Sequence, residues 1–140
     1  MPYKTMMSIV ASVPLLFSVA FLVVPHFFIL ESYPNAEGLA LEIGITQRYV
    51  MAGMLFMVVC LAFQSRNVEK VDDQKAILLG VAIATAVMCA VIILLEGPGR
   101  DLPLLVPPVI ATGALAVLSF WSRTKPVSYT HLTLPTKRIV

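Results

Sequence analysis

A chain of 140 residues that is 59% hydrophobic and 13% charged, with a formal net charge of +2, departs from soluble domains, which run near ~45–50% apolar and ~25% charged. Together with a mean hydropathy of +0.89, this excludes a water-soluble enzyme and a disordered chain, and the weak charge argues against a nucleic-acid binder. The expected class is all-α, an integral membrane four-helix bundle, since a span needs about 20 apolar residues.

The first predicted span is Met6 to Leu30, 25 residues without a charge. Lys4 ahead of an apolar run also fits a signal peptide. Such a peptide has an apolar core of only ~7–15 residues and a small-residue cleavage site. This run is longer and ends PHFFILES, so an uncleaved anchor is expected. Pro14 and Pro25 each remove a helix hydrogen bond, freeing the carbonyls of Val10 and Phe21.

The second span is expected from about Ile45 to Phe63, with Gln47 and Arg48 near its start. The third, Ala76 to Leu95, is again uncharged. It carries small residues four apart, at Gly80 and Ala84 and separately at Ala82, Ala86 and Ala90. Small residues at that spacing let membrane helices approach closely. Two such faces predict two helix neighbours, with a dimer seam as the alternative. The fourth span is expected over Leu102 to Trp121. Pro103 suits its first turn, and Pro107 and Pro108 are expected to bend or delay it. Spans one, three and four lack the polar stripe of a soluble core helix.

Residues 127–140 stand apart. Val127 to Thr136 read VSYTHLTLPT, which resembles the conceptual translation of a transposase-based sequencing adapter. The expectation is a natural sequence interrupted near Pro126 and a foreign tail, so the fold domain is taken as residues 1–126. His131 then drops from consideration. Without Lys137 and Arg138 the remaining chain is neutral.

The placement of Lys and Arg predicts orientation. Lys4, Arg66, Lys70, Lys75, Arg123 and Lys125 fall on one side, and Arg48 and Arg100 on the other. Both termini and the Gln64–Lys75 loop are therefore expected in the cytoplasm. The outer Glu31–Gly44 segment holds three Glu and no Lys or Arg.

The chemistry is sparse. Cys60 and Cys89 differ in expected depth by roughly 10 Å or more, too far for a disulfide, and there is no CxxC. With the tail set aside His26 is the only histidine, so paired-histidine haem ligation and a zinc cluster are excluded. No catalytic, cofactor-binding or metal-ligating residues can be assigned. Ionisable groups within spans are functional candidates, and Arg48 is the only one well inside. Its helix neighbours Gly44, Ile45, Met51 and Ala52 are not acidic. Gly44, Arg48 and Ala52 form a small-residue stripe that should face another helix, where Glu31 or Glu96 could pair with Arg48. The alternative is snorkelling to headgroups. Arg48, Glu31, Glu96 and His26 are thus the candidate polar cluster, at the outer helix ends.

PHFFILE, an acidic segment, QRYVMAG opening span two, and a charged inner loop before KAILLG resemble a bacterial family. It is an uncharacterised family of four-helix membrane proteins, distantly like the DoxX group. The resemblance covers roughly Met6 to Trp121. It implies a bundle in a bacterial inner membrane with an arginine opening helix two, here Arg48, and no established activity. The Pro107–Pro108 pair departs from that pattern. The functional expectation is a non-enzymatic accessory subunit, or a binder of a lipid or small ligand at the outer face. The alternative is a subunit of a transporter or membrane redox complex. The expected partners are membrane lipids, and a membrane protein or a second copy.

Overall fold

Hydrocarbon offers no partner to a peptide group, so an apolar run that crosses it must pair its backbone internally. The computed structural model describes residues 2–96 and 106–124, and among these the chain is helical with no strand. The helices are α1 (Tyr3–Val23), α2 (Pro25–Ser32), α3 (Gly38–Ser65), α4 (Val71–Glu96) and α5 (Val106–Thr124). All but α2 are long and apolar enough to cross a membrane.

The expected first span is interrupted. Pro14 is accommodated inside α1, but Val24 leaves the helical region at φ −132°, ψ 53°. A proline disfavours the α conformation of the residue before it, and Pro25 then opens α2, where its missing N–H costs no bond. The helix-two expectation is also short by seven residues at its start. Gly38, at φ +54°, turns the chain into α3. That conformation is one glycine adopts without a Cβ penalty. At 28 residues, α3 is about 42 Å long, more than a ~30 Å hydrocarbon core requires. Helix α4 starts earlier than its apolar run because Asp72 and Asp73 occupy its first turn, where carboxylates suit the positive end of the helix dipole. Pro107 and Pro108 are the second and third residues of α5 as described. Residues 102–105 of the expected fourth span and the tail from 127 lie outside the described residues.

Helix α1 packs along α3 and α4 along α5, and α1 touches α5. The pair α1/α3 is antiparallel: Tyr3 Oη donates to Ser65 O at 2.9 Å near one end, and Ser18 Oγ donates to Ala52 O at 2.9 Å toward the other. The core gathers at the N-terminal end of α1, from Tyr3, Met6, Met7, Val10 and Ala11 with Ala62, Leu78 and Leu115. Large apolar side chains elsewhere point outward, such as Leu16 and Leu94 at 71% exposure and Val117 at 69%. In water such a surface would be an association hazard. In hydrocarbon it is the ordinary solvent face.

Helix α4 does not meet two neighbours along its length. Ala82 is buried, Leu78 beside it, while Ala84, Ala86 and Ala90 are exposed and a Cβ on Gly80 would meet nothing within 4 Å. One small-residue face is packed only at Ala82 and open at Ala86 and Ala90, the other is open at Gly80 and Ala84, and α5 is the neighbour that runs along α4.

Candidate functional site

Arg48 lies ten residues into α3, about 15 Å along the helix axis from Gly38. The stripe that contains it faces inward. On one side Ala52 is buried, its carbonyl accepting from Ser18. On the other, Gly44 meets Ile29 of α2 so closely that an added Cβ would sit 3.0 Å from Ile29 Cδ1. Between these two contacts, half-buried Arg48 is aimed at α1. Its guanidinium carbon sits 5.2 Å from the centroid of the Phe21 ring, within the range of a cation–π contact. Arg48 Nη1 donates to Met51 Sδ at 3.6 Å, a weak acceptor. Arg48 Nε is buried and has no acceptor among the described residues.

Aromatic rings build the rest of the site. Phe21 stands edge-on to Phe28 at 4.9 Å and tilted to Phe17 at 6.2 Å, and Phe27 meets Phe28 at 5.5 Å. Phe17, Phe21, Phe28, Glu31, Arg48, Pro107 and Pro108 line one pocket. Four helices contribute: α1 and α2 from either side of the Pro25 break, α3 through Arg48, and α5 through its two prolines. The space open to water-sized groups is about 40 Å³, within about 340 Å³ that includes the mouth. The smaller figure is room for a few waters, or for one compact polar group.

Of the expected cluster, Arg48 and Glu31 share this pocket. They do not form an ion pair, since none with N···O within 4.0 Å joins them. A ring and a thioether meet the guanidinium where Glu31 does not, and Glu31 stays exposed on α2. His26 is exposed on α2 and does not line the pocket. The side chain of Glu96 lies outside the described residues, as does Arg100. The phenylalanines are the residues the cluster omitted. The spacing of Phe17 and Phe21 by four, one helix turn, and the doublet Phe27–Phe28 are the signals that could have found them.

The opposite end of the bundle is structural. Tyr3 holds the end of α3, and Gln74 Nε2 donates to Val68 O at 2.8 Å and to Glu69 O at 3.4 Å, which fastens the α3–α4 connector. Arg66 lies over Phe63 at 4.9 Å. Cys60 and Cys89 are both free, and Cys89 Sγ approaches Val109 O at 3.6 Å. Among the described residues no group of three or more His, Cys, Asp or Glu could hold a metal ion.

Comparison with protein-family models, with curated proteins and with solved structures finds no match to this chain.

Proposed function

We propose that this chain is a multi-pass membrane protein that binds the anionic group of a lipid or small amphiphile in the Arg48 pocket, serving as a non-enzymatic accessory or lipid-binding protein. The observation that carries this reading is the state of Arg48. A guanidinium keeps its charge in any protein environment. A charge removed from water is costly unless it is paired and hydrogen-bonded. Phe21 and Met51 meet part of that need, and Arg48 Nε has no acceptor among the described residues. An oxyanion from a ligand would complete the set through charge-assisted hydrogen bonds.

The orientation belongs to the same proposal. The Lys and Arg bias supports cytoplasmic termini, with the pocket in the outer half of the membrane. The PHFFILE, QRYVMAG and KAILLG segments, by their resemblance to the bacterial four-helix family, support a bacterial inner membrane. The test is lipid analysis of the protein purified from native membrane in mild detergent. The wild type should retain a lipid with an anionic group that Arg48→Ala loses. Identical lipid profiles for the two would overturn the reading.

A further inference from the structure

The pocket holds two opposite charges that do not neutralise each other. Glu31 and Arg48 both line it, yet no ion pair joins them. A bare anion placed at Arg48 would lie close to the Glu31 carboxylate and be repelled by it. A bare cation at Glu31 would meet the guanidinium. Only a ligand that carries both signs, spaced across the pocket, is attracted at each end.

We infer that the pocket takes a zwitterionic phosphate–ammonium group, a phosphoethanolamine, with its phosphate at Arg48 and its ammonium at Glu31. This rests on the reading of Arg48 as the ligand-binding cation and deepens it by naming the headgroup. The phosphate end is the Arg48 guanidinium, which lines the pocket and whose Nε has no acceptor among the described residues. The ammonium end has a carboxylate and a ring: Phe28 and Glu31 are three residues apart on α2, hence on one face. Phe28 lines the same pocket, and an aromatic face attracts a cation.

Hydrogen bonding selects between ammonium types. A primary ammonium has N–H groups to donate to Glu31, whereas a trimethylammonium is bulkier and has none. A lipid would place its headgroup at the pocket. Its chains would lie against the apolar exterior, where Leu22 of α1 and Leu30 of α2 are exposed.

The test uses the full chain in detergent and counts bound ligand by native mass spectrometry. The probes are dioleoyl phosphatidylethanolamine, phosphatidylcholine and phosphatidylglycerol, and free phosphoethanolamine. The wild type should bind phosphatidylethanolamine about tenfold more tightly than the other two lipids, the scale of one charge-assisted contact. Glu31 is exposed, so Glu31→Gln keeps the fold. It should erase the preference over phosphatidylglycerol. Arg48→Lys, which retains a charge but not the Nε donor, should weaken all three lipids. Free phosphoethanolamine binding as tightly as the lipid, with the same dependence on both residues, upholds the inference and identifies a soluble source. Phosphatidylglycerol binding equal to or tighter than phosphatidylethanolamine, still dependent on Arg48, overturns the zwitterion and leaves the anion pocket standing. Lipid binding indifferent to Arg48 overturns both.

Discussion

Arg48 and Phe21 meet across two antiparallel helices, the guanidinium carbon 5.2 Å from the ring centroid. The charge is thereby turned into the bundle without a carboxylate within ion-pair distance among the described residues. If the contact is energetic, the two side chains are coupled. Phe21→Leu and Arg48→Met should each destabilise the protein in detergent, and the double mutant should cost less than their sum by about 1 kcal/mol. Reversible unfolding in mixed micelles measures this. Strict additivity would mean that the guanidinium spends its time in the headgroup layer.

Gly44 sets how closely α2 lies on α3, because a Cβ there would sit 3.0 Å from Ile29 Cδ1. Gly44→Val should cost about 1–3 kcal/mol through overpacking, and Ile29→Ala should recover part of it. The same substitution should loosen ligand binding, since α2 carries Phe28 and Glu31. Gly53→Ala is the control: its Cβ would meet nothing within 4 Å. A Gly44→Val protein as stable as the Gly53→Ala one would show that α2 does not dock there.

Ser18 donates across the α1/α3 interface to Ala52 O, whereas Ser8 donates to Lys4 O within its own helix. Ser18→Ala should therefore destabilise by about 0.5–1.5 kcal/mol, toward the lower end if interhelical bonds in membranes are typical. Ser8→Ala should change little. Equal thermal shifts for the two variants would remove the hydroxyl as a register lock.

The two small faces of α4 should respond differently to bulk. Ala82 is buried, and Ala84 is exposed. Ala82→Leu should lower stability by about 1–3 kcal/mol, while Ala84→Leu should leave the monomer unchanged. Thermal unfolding of the two variants side by side decides it. A larger loss from Ala84→Leu would mean that the open face is covered by something else.

Reporter fusions test the orientation that the basic residues predict. Fusions at Pro126 and within residues 68–74 should report cytoplasm, and one at Asn35 the outside. A cytoplasmic signal from the Asn35 fusion would invert the protein and place the Arg48 pocket on the inner side.

The sequence by itself determined that the chain is helical and membrane-like, because charge-free apolar runs have no other way to satisfy their peptide groups in hydrocarbon. It also determined that Arg48 lies on a small-residue stripe, since helix periodicity alone puts Gly44, Arg48 and Ala52 on one face. What Arg48 meets was decided by tertiary structure. Helical spacing orders neighbours within one helix but says nothing of which turn of α1 lies beside it. Seating Ser18 against Ala52 brings Phe21 to the guanidinium, and no feature of either segment alone specifies that pairing. The prolines divide the same way. Pro14 and Pro25 remove the same donor, yet α1 continues through Pro14 and breaks before Pro25. At the break the chain turns so that Ile29 can rest on Gly44, a long-range contact. On α4 the two small-residue faces were equally legible. Only the tertiary structure buried Ala82 and left Ala84, Ala86 and Ala90 open, because a close-packing surface becomes a contact only where a partner helix is there to fill it.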